Sequence, residues 1–377
     1  LGRGSTIYVQ HFHQSEPIAV QIVSSVATGA GATARIYKGR AGPKGHKYDV
    51  ALKVIPNLLD ESRQKVLDQL IRREVEAISQ LSNRAASGIL PFLGTASAQF
   101  HMIIASKFMR NGNLLDYLKA VPDADPQSLV AETVHWLHVS HNLVHGDLKC
   151  ENILVNDTGD ALLADFGLAT LVEQESSSLT TITAIRQMNT LPFAAPELLF
   201  GSDADGAASN GDAESTRPRS KTCQSDVYAF GMLTLQAFTG VRPWGGLNEH
   251  QIYGAHFRGS VHPRPPDAAA LRGLTDSWWA VCLKCWEKQP EERPEMKWVW
   301  ETLEVCSLFS CWFRLTITAQ SKRRTSRMRI ENSILQRTTD LSQGHYLQAP
   351  SSFLSFLALA GNELSRSTET EPYGYST

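Results

Sequence analysis

"VHGDLKCENILV", residues 144–155, sets an Asp and an Asn five positions apart with a Lys between them. The "ILV" that follows is a short apolar run of the kind that forms a buried strand, and the preceding "WLHVSHN" reads as the end of a helix. Asp147, Lys149 and Asn152 therefore sit at a helix-to-strand turn. An acid, a cation and an amide gathered there suit a charged ligand better than a core, where each would need its own partner.

Outward from this loop the chain changes character. Downstream, "NILVN" and "ALLADFG" form a strand pair, and helices are predicted in "SDVYAFGMLTLQAFTG", "LNEHQIYGAHFRG", "TDSWWAVCLKCWEKQ" and "PEMKWVWETLEVC". Between Gly201 and Ser220, "GSDADGAASNGDAESTRPRS" is poor in apolar residues and reads as a disordered surface insertion. Upstream, "AETVHWLHVSHN" is helical and "NLLDYLKA" is a short helix capped by Asn113. The first third alternates strands around one helix. "PIAVQIVSSVATGAGATARIYKGR" gives two strands about a glycine-rich turn, and "YDVALKVI" is a β-branched strand carrying Lys53. In 60–83 apolar residues recur at helical intervals behind Asp60 as N-cap, and "ILPFLGTASAQFHMIIASKF" supplies two more strands. A strand-rich small lobe followed by a helical large lobe leaves a cleft, and the polar loops cluster where it must lie.

The 377 residues are enough for more than one core, and 42% hydrophobic with 20% charged residues describes a globular chain. A net charge of −2 argues against a nucleic-acid binder driven by overall charge. The six cysteines show no disulfide framework, and "CLKC" at 282–285 lacks the second pair a zinc site needs, so packed thiols in a reducing compartment are expected. No apolar run reaches the ~18–20 residues of a membrane span. The start "LGRGSTIYVQHFHQ" has neither an initiator Met nor a signal pattern, which reads as a fragment, and a cytoplasmic location is expected, with the nucleus as an alternative. After about Cys306 the periodicity fades into polar sequence containing "SKRRTSRMR", read as a solvated low-complexity tail.

With these motifs in order, residues 16–305 resemble a eukaryotic protein kinase domain, most closely its tyrosine-kinase-like group. The resemblance implies a bilobal α+β fold: a small antiparallel β-sheet lobe with one helix (16–107) and a larger, mainly helical lobe (108–305) that contains the 201–220 insertion. Residues 1–15 are then an N-terminal extension and 306–377 a tail. It also implies ATP and Mg²⁺, a protein substrate bearing Ser or Thr, and transfer of the γ-phosphate to that hydroxyl; no nucleic acid partner or membrane span is expected, and nothing in the pattern speaks to oligomeric state.

Roles follow by resemblance, position by position. Gly29 and Gly31 of "GAGATA" match the first two glycines of the loop that closes over the triphosphate, where Cβ atoms would block backbone N–H groups; Ala34 stands at the third glycine. Lys53 of "VALK" would grip the α- and β-phosphates and pair with Glu74 of "RREVEAISQL", and Ala51 would line the nucleotide site. Asp147 would accept the substrate hydroxyl proton, Lys149 would neutralise the γ-phosphate, and Asn152 and Asp165 of "DFG" would bind the metal. Ser106 falls at the gatekeeper position, with Lys107, Phe108 and Met109 as the hinge that meets adenine. Glu197 of "TLPFAAPE" should pair with Arg293 of "QPEERPE", and Asp226 should brace the catalytic loop. Lys149 and Thr190 fit Ser/Thr specificity, with dual specificity left open.

Two departures from the family pattern matter. Gly146 replaces the commoner Arg that clasps a phosphate on the activation segment, which predicts weaker dependence on phosphorylation there. The stretch "AVPDADPQSLVAETVHWLHVSHN" is about seven to ten residues short of the family's helix, or two to three turns at roughly 1.5 Å per residue, which predicts exposed apolar surface. With Ala34, these leave a catalytically impaired scaffold or regulator as the alternative, and a small-molecule kinase of similar fold as a third reading.

Overall fold

The computed structural model describes residues 2–11, 15–24, 29–30, 34–43, 45–56, 61–82, 88–98, 101–121, 127–166, 170–171, 190–200, 221–265 and 274–304. Gly31, Asp60, the 201–220 insertion and the 306–377 tail lie outside them.

The small lobe is an antiparallel sheet of seven strands. β1 (Thr6–Val9), β2 (Ile18–Ile22), β4 (Arg35–Ala41), β5 (Tyr48–Pro56), β7 (His101–Lys107) and β6 (Phe92–Ala98) lie in the order β1-β2-β4-β5-β7-β6, and β3 (Gly29–Ala30) pairs with β4. Alternation selects the faces: on β5, Val50, Leu52 and Val54 are buried, and Val9, Val20 and Ile103 join them in one apolar cluster. Ala51 and Lys53 point to the other face.

Residues 6–9, within the expected N-terminal extension, join this sheet. Thr6–Val9 pairs with β2 from Thr6↔Gln21 to Val9↔Ile18, and Ile7 and Val9 are buried. The next residue, Gln10, exchanges two backbone hydrogen bonds with Thr95 of β6, at 2.8 and 3.0 Å. The two end strands of the sheet are therefore joined at one point, by a single bridge just past β1. Gly94 permits this approach: its φ is +138°, and a Cβ there would lie 2.3 Å from the Gln10 carbonyl oxygen.

Helix α1 (Glu61–Ser82) buries Leu67, Ile71, Val75, Ile78 and Leu81 along one stripe. The large lobe begins at α2 (Leu114–Ala120), capped by the Asn113 side chain, which accepts from the Asp116 N–H. α3 (Gln127–His141) starts four residues earlier than the sequence pattern indicates. On its inner face Val130, Ala131, Val134 and Leu137 are all buried, while Val139 of the same helix and Val121 before it are exposed. The small strands β8 (Leu143–Val144) to β11 (Thr170–Leu171) follow, with β9 (Ile153–Val155) paired to β10 (Ala161–Leu163) and β11 to β8. At the centre lies the helix Cys223–Thr239, buried from Ser225 through Phe238 and packed against the helix Asp276–Cys285. Cys282 and Cys285 are buried free thiols, and burial pushes Cys285 up to about 12, so "CLKC" is packing.

Candidate functional site

The cross-strand ladder builds the small-lobe half of the site. Gly29 pairs with Ile36 and Ile36 with Lys53, so Gly29 lies two strands, about 10 Å, from Lys53. The Lys53 Nζ donates to Glu74 Oε1 on α1 at 2.6 Å and to Asp165 Oδ1 at 3.1 Å. Glu74 is buried, so the ammonium offsets the cost of taking its carboxylate from water. Three residues from a strand, a helix and a loop thus meet at one cation. Asp165 holds φ at +62°, a left-handed conformation that few residues other than glycine adopt.

Strands also position the hinge. Ala51 faces Ser106 across β5 and β7, and the half-buried Ser106 has Phe92 of β6 as its other neighbour. Beyond them the Phe108 N–H donates to the Asp49 carbonyl at 3.1 Å while Lys107 is exposed. Met109 is buried, and among the described residues its N–H has no hydrogen-bond partner.

The large-lobe half is the 144–155 loop, pinned at both ends by buried strands. Lys149 Nζ donates to both oxygens of Asp147 at 2.9 and 2.8 Å, and Asn152 Nδ2 donates to the Asp147 carbonyl and to its Oδ2, both at 2.8 Å. The Thr190 hydroxyl, 43 residues on, donates to Asp147 Oδ1 at 2.7 Å. These charge-assisted bonds fix which way the carboxylate points. Asn152 spends its amide nitrogen on Asp147, which leaves its Oδ1 as an oxygen donor.

The loop is held from behind by groups that sequence reasoning passed over, with Asp226 as the exception. Asp226 accepts the backbone N–H groups of His145 and Gly146, each at 2.8 Å. It also accepts from His138 of α3 at 2.9 Å. Burial would lower the His138 pKa, but the hydrogen bond and charge of Asp226, helped by Cys223, push it up to about 9. His145 is fully buried, and that burial lowers its pKa, so the ring is neutral. With Nδ1 accepting from the Asp147 N–H at 3.3 Å, Nε2 carries the proton and donates to the Ala164 carbonyl at 3.2 Å. One imidazole thus links the residue beside Asp165 to Asp147. Gln236 accepts from the Cys150 N–H at 3.0 Å and donates to Glu151 at 3.0 Å. Only proximity in the fold connects His138, Gln236 and the loop.

On the far side, Arg293 donates to both carboxylate oxygens of Glu197 at 2.7 and 2.8 Å. The expected pair is therefore present, across 96 residues. A family model described as protein tyrosine and serine/threonine kinase matches residues 22–303. The chain belongs to the protein kinase family.

This kinase domain is 28% identical over 288 residues to the serine/threonine/tyrosine-protein kinase HT1 of Arabidopsis thaliana, covering 73% of this chain and 64% of that protein. It is 27% identical over 272 residues to mitogen-activated protein kinase kinase kinase 1 of the same plant, covering 71% and 39%. With the human tyrosine-protein kinase Srms it shares 28% over 264 residues, covering 67% and 46%. The chain spans less than two thirds of the length of each of these relatives. No helix among the described residues is long and apolar enough to cross a membrane.

The kinase fold brings together Lys53, Glu74 and Asp165, and separately Asp147, Lys149, Asn152 and Thr190. Gly29 sits in β3, while Gly31 and the activation segment around 172–189, on which the expectation drawn from Gly146 bears, lie outside the described residues. Ala34 is buried and packs into the main core.

Proposed function

We propose that this chain is an ATP-dependent protein kinase that transfers the γ-phosphate of Mg·ATP to Ser or Thr hydroxyls of protein substrates, with dual specificity left open. The observation that carries the reading is the pair of bonds from Lys53, 2.6 Å to Glu74 and 3.1 Å to Asp165. A cation so held is oriented before any nucleotide arrives, and phosphoryl transfer depends on positioning and charge stabilisation.

In this reading Lys53, steadied by Glu74, would bind the α- and β-phosphates, and Gly29 of β3 would lie over them. Ala51, Lys107 and the Met109 N–H would receive the adenine. Asp147 would take the proton from the incoming hydroxyl while Lys149 faces the γ-phosphate, and Thr190 would keep the substrate segment in register with Asp147.

The donor set fits Mg²⁺. A carboxylate at Asp165 and an amide oxygen at Asn152 are hard oxygen ligands. Among the described residues no group of three or more His, Cys, Asp or Glu side chains could cage a metal, so an ion here would share its coordination with phosphate oxygens, as magnesium commonly does. When bound it would neutralise charge on the transferring phosphoryl group. Among the described residues the four cysteines are free thiols, which supports a reducing compartment and with it a cytoplasmic or nuclear place of action.

Transfer from Mg·ATP to a generic basic protein tests the reading. Wild type should phosphorylate Ser or Thr, and Lys53→Met and Asp165→Asn should each lose about 10²-fold or more in kcat, the scale of removing one preorganised electrostatic group. A folded wild type that binds nucleotide and transfers nothing would instead support the scaffold reading.

A further inference from the structure

The residue before Asp147 is a glycine at φ +75°, the position of greatest backbone freedom in the loop, and it has no side chain to hold itself in place. What holds it comes from elsewhere. Lys221 Nζ donates to the Gly146 carbonyl oxygen at 2.6 Å, across 75 residues, and both groups are partly buried. That carbonyl belongs to the peptide group whose N–H is the Asp147 amide, which donates to the neutral His145 ring at 3.3 Å. The preceding peptide is held by the Gly146 N–H on Asp226 Oδ1 at 2.8 Å, and the one before it by the His145 N–H on Asp226 Oδ2 at 2.8 Å. Three successive peptide groups leading into Asp147 are fixed. The last of them is held by Lys221 at its oxygen.

Lys221 and Asp226 come from one rigid start. Lys221 immediately precedes Thr222, the N-cap of the Cys223–Thr239 helix, and a capping box between Thr222 and Ser225 sets the chain there. Asp226 lies in the first turn of that helix. A cation just ahead of the helix and an anion in its first turn, five residues apart, thus grip a carbonyl and two amides of the loop. A peptide plane freed at its oxygen would turn about the bonds flanking it, and the Asp147 carboxylate would turn with it.

We propose that Lys221 is a positioning residue for phosphoryl transfer: through the Gly146 carbonyl it sets the peptide plane that aims Asp147, doing from outside the loop what a glycine cannot do from within. The proposal rests on the reading of Asp147 as the base that faces the substrate hydroxyl.

Three proteins test it: wild type, Lys221→Met and Lys221→Arg, each assayed for transfer to a basic protein, for Mg·ADP affinity and for hydrogen exchange at the 145–147 amides. Lys221→Met should lose about ten- to a hundredfold in kcat, the cost of a misplaced catalytic group, with nucleotide affinity within about twofold. Exchange at those amides should speed up at least tenfold by the same loosening. Lys221→Arg, which keeps a charged donor, should restore most of both. Unchanged kcat and exchange in Lys221→Met would overturn the proposal, as would a loss shared equally by nucleotide affinity and left unrestored by Arg. If the Met variant does not fold, Lys221→Gln is read by the same exchange and kcat criteria. If wild type itself transfers nothing, the enzymatic reading fails, and the exchange comparison still decides whether Lys221 holds the loop.

Discussion

Arg293 lays two guanidinium nitrogens against the two carboxylate oxygens of Glu197 at 2.7 and 2.8 Å, with no part of the arginine side chain exposed. The same guanidinium donates to the carbonyls of Gln224 and Glu287 at 3.0 and 2.9 Å, so one cation ties together the 196–199 turn, the start of the central helix and the 287–293 loop. Removing one partner strands a buried charge. Glu197→Ala should therefore lower the unfolding free energy by about 3–5 kcal/mol in a urea titration. A change under about 1 kcal/mol, the scale of a surface pair, would contradict the buried geometry.

The His138–Asp226 pair makes stability depend on pH in a definite direction. A histidine held at about 9 in the fold, against an ordinary 6.5, keeps a proton that the unfolded chain has given up. Its contribution is complete below the ordinary value and is lost as pH rises through about 9. Burial would raise Asp226, but His138 and the Gly146 amide hold it below its ordinary 3.8, so its contribution is present above that value and is lost on further acidification. Between pH 7 and 9.5 wild type should lose on the order of 1–3 kcal/mol of unfolding free energy through this group. His138→Gln should flatten that limb; an equally steep limb in the variant would assign the loss to another group.

The joining of residues 6–10 to the small-lobe sheet has its own test. Val9 is fully buried and Tyr8, its neighbour on the opposite face, is 65% exposed. Val9→Asp should cost about 3–5 kcal/mol or prevent folding, because it puts an unpaired carboxylate among Val20, Val50 and Leu52. Tyr8→Asp should stay within about 0.5 kcal/mol. Equal effects of the two, measured by denaturant unfolding, would mean that the strand does not pack this way.

Ser106 lies between Ala51 and Phe92 in the register of β5, β7 and β6, and in the proposed nucleotide site its small side chain would leave room behind the hinge. Inhibitors that extend a bulky group from an adenine-like ring should bind wild type well. Ser106→Phe should weaken them by about 10- to 200-fold, the range for a volume mismatch in an apolar pocket, with a smaller change in KM for ATP. Unchanged inhibition would remove Ser106 from the nucleotide site.

How far each feature could be read in advance follows its range along the chain. The Asn113 cap, the alternation in β5 and the stripe on α1 are local: a side chain three residues away, or a period of two or 3.6, carries them. Lys53, Asp147, Asn152 and Asp165 were legible because four short motifs occur in order, and their meeting could be inferred from resemblance although no periodicity implies it. Thr6–Val9 is too short a run to mark a strand by its own pattern. Only pairing with β2, and Gln10 with Thr95, makes it a strand. The short stretch before the loop predicted exposed apolar surface; α3 starts at Gln127 and keeps Val130, Val134 and Leu137 covered, while its Val139 is 70% exposed.

The amino-acid order by itself determined which residue types stand in the candidate site and on which kinds of local element. Hydrogen-bonding capacity and periodicity are properties of short segments. The tertiary structure alone decided which of them is aimed by which: His138 on Asp226, the His145 ring between Ala164 and Asp147, and Lys221 on Gly146 join groups 88, 19, 2 and 75 residues apart. A hydrogen bond acts only over about 3 Å, and no local pattern encodes which distant segments packing will bring within that reach.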